Sequence, residues 1–423
     1  MNNTFTKKNI LQNNALSYPS YLIHSLVFLL PCLALVTKSG VSLAGFGFLL
    51  AGMLCWRAAK APLVRHLTEI RWVLTALLLS FAFALAGMLW HPELHLRALE
   101  KPARMAFSVT VLLAVLAVRP GRKALWWGLI AGAMAGAVFI CYQRWSLGIE
   151  RPGGLINAIT FGDIQLCMGM MCLAGVLDFK GRQAVWPALG ALAGLLGSVA
   201  TGTRGGWIAI LFAAVLFVKY GHFLRARAAK ALAVAALALM VSTYFIDQTG
   251  ARERLEQGVT EVKTYFDGGN AYTNVGVRLE LWKGALMLAE RHPWRISTTG
   301  EIEAELAEEV RAGRLQSFVL EAEHFHNDIL QVLVYGGVPG LLVWLGTLIA
   351  PFLFFARILK THESASPAVT APALAGLLLV IGYFSFGLTE VIYWSIMSTM
   401  FYAQMLFLLM GLCLNARDEG DAA

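Results

Sequence analysis

Long apolar runs separated by short polar segments are the feature that most constrains what this chain can fold into. A membrane-spanning helix needs about 20 mostly apolar residues. Runs that reach or approach this length lie at about 21–37, 40–56, 72–90, 105–118, 124–142, 159–177, 184–200, 206–218, 231–246, 329–356, 369–388 and 392–414. The pattern predicts an all-α polytopic membrane protein with about twelve transmembrane helices.

The composition supports the same class of protein. Only 14% of the residues are charged, against about 25% in soluble proteins. The net charge of +8 therefore indicates membrane topology and not nucleic-acid binding. No cleavable signal is expected, since residues 1–20 are polar and the first apolar run leads into a second. All six cysteines lie in apolar runs, without the spacing of a zinc site or a disulfide framework.

Positive charge predicts the orientation. If both termini are cytoplasmic, the inner loops and tails hold 18 Lys and Arg residues and the short outer loops hold 7. Short loops rich in Lys and Arg stay in the cytoplasm, so this arrangement is preferred. Residues 247–328 then form the one long outer loop, with helices expected at 252–266, 277–291 and 301–312.

The chain is accordingly divided into three parts. Residues 1–246 are expected to form a membrane bundle of about nine helices. Residues 247–328 form a helical outer loop, and residues 329–423 form a second bundle of about three helices with a cytoplasmic tail. Within the run 329–356, Gly336, Gly337, Pro339 and Gly340 predict a kink or break near its start. No nucleotide-binding loop or carboxylate run for divalent metals is evident, so no cofactor and no metal are expected.

A polar turn between two apolar runs contains Thr203, Arg204 and Gly205. An arginine there is costly unless it is wetted, paired or bound to a ligand. The turn precedes a helix, and a helix N-terminus favours anions. We expect an anion site, with a plain turn and a snorkelling arginine as the alternative.

A second polar cluster runs from Glu323 through His324, His326 and Asn327 to Asp328. Histidines at positions i and i+2 do not share a helix face, which makes them poor joint metal ligands on a helix. An imidazole beside carboxylates suits proton transfer near neutral pH. The alternative is a pair of interfacial histidines that hydrogen bond to headgroups or backbone.

Other charged residues are weaker candidates on their own. Arg278, four residues before Trp282 on an outer-loop helix, is by itself typical of a solvated face. Arg151 lies in an outer loop rich in glycine and could add a cation to the same side. Asp163 and Glu390 are acids near the membrane that we expect to pair with arginines.

Three motifs together resemble the O-antigen ligase and polymerase superfamily. Residues 203–207 (Thr-Arg-Gly-Gly-Trp) match its (S/T)-R-G-G turn, and residues 278–293 resemble its R-x-x-x-W helix that ends in His-Pro. Residues 326–340 (His-Asn, nine residues, then G-x-x-G) resemble the ligase signature. The segment after residues 292–294 lacks the G-x-G that the superfamily often has, which leaves the role of that turn open.

The resemblance implies a GT-C-like glycosyltransferase in the bacterial inner membrane with its site on the periplasmic side. The donor would be an O-antigen on undecaprenyl diphosphate and the acceptor a sugar of lipid A-core, among membrane lipids and without nucleic acid. Arg204 and Arg278 would bind the diphosphate, with Arg151 as a third cation. The transfer would be metal-independent and inverting.

The same resemblance implies roles around the acceptor hydroxyl. His326 would be the general base, with His324 as the second choice and Asn327 or Glu323 orienting it. Supporting positions would be Thr203, Gly205 and Trp282. Alternatives that remain are an O-antigen polymerase, a protein O-oligosaccharyltransferase and, outside enzymes, a transporter.

Overall fold

The computed structural model describes residues 20–91, 96–203, 205–220, 251–361 and 366–421. These residues form α-helices joined by short turns, with no strand among them. In chain order the helices are α1 (Ser20–Leu33), α2 (Gly40–Leu54), α3 (Trp56–Trp90), α4 (Glu100–Phe107), α5 (Val109–Val118), α6 (Arg122–Cys141), α7 (Ala158–Gly175), α8 (Val185–Ala200), α9 (Trp207–Tyr220), α10 (Ala251–Phe266), α11 (Asn274–Arg291), α12 (Thr299–Arg311), α13 (Asp328–Thr361), α14 (Pro367–Phe386) and α15 (Ile396–Asp421).

Eight helical segments among the described residues are long and apolar enough to cross a membrane, and three more apolar helices are shorter. The polytopic helical class predicted from the apolar runs is therefore confirmed. The predicted run 231–246 lies outside the described residues, so the total of twelve stays a prediction. The eight segments are Trp56–Trp90, Leu96–Val118, Arg122–Ser146, Ala158–Asp178, Gly181–Ala200, Asp328–Thr361, Pro367–Phe386 and Ile396–Gly420.

Helix α3 is longer than the apolar pattern predicts. It begins at Trp56, and the basic segment 57–71 between two of the predicted apolar runs is helical throughout. The segment contains no glycine and buries His66 against the last helix, so the helix continues from this segment into the apolar run. Pro62 lies in the second turn of α3, where it removes one intrahelical hydrogen bond, the one to the carbonyl of Ala58, and the helix continues through it.

One end of the bundle is held together by ion pairs. Asp418 of α15 contacts His66 of α3 (Oδ1 to Nε2, 3.2 Å) and Arg119 after α5 (Oδ2 to Nη2, 3.1 Å). Arg417 lies 2.6 Å from Glu69 of α3. The start of α3 and the end of α15 therefore share this end, which we call the ion-pair end. The last turn of α13 lines one groove with Glu69 and Arg417, so the start of α13 lies at the other end.

The predicted break in the helix over 329–356 is confirmed. Gly337 has φ 59° and ψ −165°, so α13 turns sharply there. The backbone groups released at the kink bond to the segment after α11: Val338 N–H donates to Pro293 O (2.7 Å) and Ser297 N–H donates to Tyr335 O (2.9 Å). The kink thereby joins the polar segment 251–328 to the membrane bundle.

The polar segment has its own small core. Buried side chains of α11, α12 and the residues after them pack against Val334 of α13. Phe325, which stands between the two histidines, is buried in this cluster with 4% of its surface exposed. The predicted helices 252–266, 277–291 and 301–312 correspond to α10, α11 and α12. Because Phe325 is anchored, the histidines on either side of it are held at a defined position.

Candidate active site

His324 and His326 lie on a non-helical segment just before α13. His326 has φ 49°, a left-handed conformation that few side chains adopt. This conformation brings the two rings together, with centroids 4.3 Å apart. Side chains at positions i and i+2 point apart on a helix, but this segment is not helical, so the two imidazoles can meet.

Both histidines contact the carboxylate of Glu390. His326 Nδ1 lies 3.0 Å from Oε2 and His324 Nε2 lies 3.2 Å from Oε1. The backbone N–H of His326 donates to His324 Nδ1 at 3.2 Å, so that nitrogen is an acceptor and the proton of a neutral His324 is on Nε2. His326 likewise donates from Nδ1 to Glu390, which leaves a lone pair on its Nε2.

The loop after α14 holds Glu390 in place through three hydrogen bonds to the start of α13. Asp328 N–H donates to Gly387 O (2.7 Å), and Asn327 Nδ2 donates to Leu388 O (3.0 Å). Ile392 N–H donates to Asp328 Oδ2 (3.3 Å). The carboxylate and the histidines therefore have a fixed separation although they are far apart in the chain.

The electrostatics of this group favour a charged carboxylate beside a neutral His324. Burial alone would raise the pKa of Glu390, but the hydrogen bond from His326 and the two imidazoles outweigh it, and the pKa lies below its usual value. Burial lowers the pKa of His324, despite the opposing charge of Glu390. Of the two rings, His326 is the more open, with 29% of its side chain exposed against 15% for His324.

Helix α11 contributes to the site from the polar segment. Trp282 Nε1 donates to the carbonyl of Phe325 at 3.0 Å, which ties α11 to the histidine segment. Arg278 lies one turn earlier and makes no hydrogen bond or ion pair with any residue the structure describes. It is close enough for its charge to act on Glu390, Asp163 and Arg151, and burial lowers its pKa while the guanidinium stays protonated.

The glycine turn after α8 borders the same region. Arg204 lies outside the described residues. Its neighbour Thr203 is buried, with Oγ1 2.8 Å from Thr201 Oγ1. A Cβ on Gly206 would lie 2.5 Å from Asp163 Oδ1, and Gly205 packs against Thr389, next to Glu390. Both oxygens of the buried Asp163 have no hydrogen-bond partner among the described residues.

The remaining candidates occupy different places. Asn327 caps α13, since its Oδ1 accepts the N–H of Leu330 (3.0 Å), and it does not contact a histidine side chain. Glu323 is exposed and makes no hydrogen bond to either imidazole. Arg151 is exposed near Arg278 and has no ion-pair partner in the described chain.

Sequence reasoning missed Glu390 as the partner of the histidines and expected it to pair with an arginine. Its one signal is a carboxylate placed directly after the long apolar run that forms α14. Asp163 has a similar signal, a lone acid inside the run that forms α7.

The same three side chains meet the distance requirement of a metal site. His324, His326 and Glu390 each offer one ligand atom, and these atoms all lie within 4.8 Å of one another. Two histidines and one carboxylate are a known zinc ligand set. A metal would have to displace the protons that now join the imidazoles to Glu390. The hydrogen-bonded arrangement satisfies both carboxylate oxygens without one.

Two comparisons with known proteins bear on this site. Residues 189–345 match the family described as O-antigen ligase. The matched range includes the glycine turn, α11, the histidine segment and the kink of α13. The chain is also 20% identical over 385 residues to an uncharacterized protein of Haemophilus influenzae, which covers 89% of this chain and 94% of that protein.

Proposed function

We propose that this chain, which belongs to the O-antigen ligase family through residues 189–345, is a glycosyltransferase of the inner membrane. In this proposal it transfers a polysaccharide from undecaprenyl diphosphate to a sugar hydroxyl of lipid A-core on the periplasmic face. The observation that supports it best is His326, which Glu390 holds through Nδ1 so that Nε2 can accept a proton, near Arg278, a cation without an ion-pair partner among the described residues.

The first chemical requirement is a base for the acceptor hydroxyl, which is a poor nucleophile near neutral pH. His326 Nε2 accepts this proton as the hydroxyl oxygen attacks the anomeric carbon. Glu390 holds the imidazole in the required tautomer and stabilises the imidazolium that forms, as the buried aspartate does in a serine protease triad. His324 completes the support by bonding the other carboxylate oxygen.

The second requirement is stabilisation of the negative charge that develops on the leaving group. When the bond between the anomeric carbon and the diphosphate oxygen breaks, undecaprenyl diphosphate leaves with both electrons of that bond. Arg278 and Arg151 supply guanidinium groups that bind phosphate oxygens in a bidentate manner. Arg204 is assigned from its motif. The Asp163 carboxylate beside Gly206, which has no hydrogen-bond partner among the described residues, supports a cation near this turn.

Direct displacement is the simplest stereochemical course. A covalent glycosyl-enzyme would need a carboxylate free to attack. Glu390 uses both oxygens on the histidines, and Asp163 is buried with only 1% of its surface exposed. One displacement by the acceptor inverts the anomeric centre.

The test is transfer by the purified full-length protein in liposomes that contain lipid-linked donor and lipid A-core, assayed in EDTA. His326→Ala should lower turnover by about 10²-fold or more, which is the size of a general-base contribution, while donor binding stays near that of the wild type. His324→Ala should cost less. Near-normal turnover of His326→Ala would remove it from the base role.

The assay in EDTA tests whether the site needs a metal ion. Activity that persists in EDTA supports a base held by Glu390. Activity that disappears in EDTA and returns with a divalent ion would mean that His324, His326 and Glu390 bind a metal instead.

Deletion of the gene separates ligase from polymerase. Loss of a ligase leaves lipid-linked polymer accumulating and bare core, whereas loss of a polymerase leaves single repeat units on the core. The His-Asn-to-G-x-x-G spacing over residues 326–340 favours the ligase.

A further inference from the structure

A long apolar groove lies between α3 and α13, away from the histidines. Its volume is about 830 Å³. Trp72 and Leu79 line it from α3, and Leu342 and Leu353 line it from α13. All four side chains are more than half exposed. Since a polytopic membrane protein presents its exposed apolar side chains to the bilayer, the groove faces lipid.

The length of the groove matches the hydrocarbon part of a bilayer. Its lining residues on α13 extend from Leu342 to Thr361. At 1.5 Å per residue this stretch is about 28 Å long, and the hydrocarbon core is about 30 Å thick. The groove can therefore hold an extended acyl chain along most of its length.

The groove is polar at one end only, the ion-pair end. Arg417 lines it there, but Glu69 neutralises this arginine at 2.6 Å. Arg357 also lines it, is exposed, and its guanidinium makes no hydrogen bond or ion pair with the described part of the chain. Arg357 is thus the cation available to a ligand at this end of the apolar groove.

We propose that this groove binds an anionic diacyl phospholipid, with an acyl chain between α3 and α13 and its phosphate on Arg357. A basic position between transmembrane helices at the membrane surface is the kind of site that selects anionic headgroups. The guanidinium of Arg357, which has no ion pair with the described residues, complements the single negative charge of a phosphodiester.

The position of Arg357 argues against the glycan donor as the occupant. Helix α13 begins at Asp328, which bonds the loop of Glu390, and Arg357 lies near its far end. A diphosphate on Arg357 would lie across the bilayer from His326. The lipid of this groove is therefore a phospholipid of the leaflet opposite the candidate active site.

The experiment compares phosphatidylglycerol with phosphatidylcholine of the same acyl chains, bound to delipidated full-length protein and counted by native mass spectrometry. We expect about fivefold tighter binding of phosphatidylglycerol, the effect of one basic residue at a membrane surface. Arg357→Gln should remove this preference. Lys360→Gln removes an equal charge from the same helix outside the groove and should retain it.

Two further variants test whether the apolar groove holds the acyl chain. Gly346 lines the groove and has only Ala76 near its Cβ position, at 3.6 Å, so Gly346→Leu fills open space. Leu353→Trp fills the groove from an exposed position and is the second test if the first variant folds poorly. Each should weaken binding of both phospholipids.

Three outcomes would overturn the proposal. One is equal binding of the two phospholipids by the wild type. Another is an equal loss of the preference for phosphatidylglycerol in Arg357→Gln and Lys360→Gln, which would indicate an effect of general surface charge. The third is displacement of phosphatidylglycerol by undecaprenyl phosphate with the same efficiency in the wild type and Arg357→Gln, which would assign the groove to the donor.

Discussion

At the scale of single residues, the contact between His326 and Glu390 is the basis of the chemistry proposed for the site. The histidine could be singled out from sequence because it lies in a polar cluster and a recognisable motif. Its partner could not, since Glu390 follows 64 residues later and no spacing rule links the ends of two membrane helices. Nearness in the chain favoured Asn327 and Glu323, but Asn327 caps α13 and Glu323 is exposed.

Replacing Glu390 by glutamine tests this contact. The amide keeps the shape of the carboxylate but removes the charge that orients His326 and stabilises its protonated form. We expect kcat to fall by about 10²- to 10⁴-fold with little change in KM for the donor. Steady-state kinetics in donor liposomes measure both constants, and Glu323→Gln, which removes an exposed neighbouring carboxylate, should match the wild type.

The pH dependence of the same variant gives a second readout. The pKa of Glu390 lies below its usual value, so the wild-type carboxylate remains charged as the pH falls towards about 5. Since a negative charge favours the protonated form of a neighbouring imidazole, activity should be lost on acidification at a higher pH in the wild type than in Glu390→Gln. The ratio of the wild-type rate to the Glu390→Gln rate should therefore fall as the pH drops from about 8 to about 5. A ratio that stays unchanged over this range would contradict the assignment.

At the scale of elements, the kink of α13 connects the membrane bundle to the polar segment. Glycine and proline clustered within one apolar run were enough to predict it. What the kink contacts could not be predicted, because Pro293 and Ser297 come from a loop with no pattern of its own. The helix over 57–71 could not be predicted for a related reason: charge indicates a membrane surface and says nothing about where a helix ends.

Gly337→Ala should destabilise the protein and the site together. A Cβ there would lie 2.7 Å from the Pro293 carbonyl, and φ 59° is strained for alanine. We expect a loss of about 1–3 kcal/mol of stability, seen as a lower melting temperature in detergent, together with reduced turnover.

Gly300→Ala is the matched control, since nothing lies within 4 Å of the added Cβ near the start of α12. Alanine at an unstrained helical position stabilises by about 0.4–1 kcal/mol. If Gly337→Ala melted at the wild-type temperature, the kink would not need glycine.

At the scale of the whole molecule, the two ends of the bundle differ in kind. One end holds the ion pairs of Asp418 and the start of α3, and the other holds the histidines and the polar segment. The apolar runs and the basic loops predicted that the two ends of the bundle would differ. The convergence of α7, α11, α13 and the loop after α14 on one site could not be predicted, because packing between helices is not encoded in local periodicity.

The orientation can be tested by cysteine labelling. Glu303→Cys on α12 should react with a membrane-impermeant maleimide when only the outer membrane is permeabilised. Lys60→Cys on α3 should react only after the inner membrane is opened. Both positions are exposed in the fold, and every native cysteine is buried or half-buried, so the wild type provides a low background. Labelling of Lys60→Cys in cells with an intact inner membrane would reverse the orientation.

The loop that holds Glu390 also has a consequence for biosynthesis. Residues 151, 204, 278, 324 and 326 are all synthesised before it, so a nascent chain acquires its cations and both imidazoles first. The carboxylate that orients His326 is added only once α14 has been made, and the hydrogen bonds to Asn327 and Asp328 form after that. Under the proposed mechanism, a truncated product that ends between residues 326 and 390 has the residues assigned to anion binding but no oriented base. Such unfinished copies in the membrane are therefore expected to be inactive.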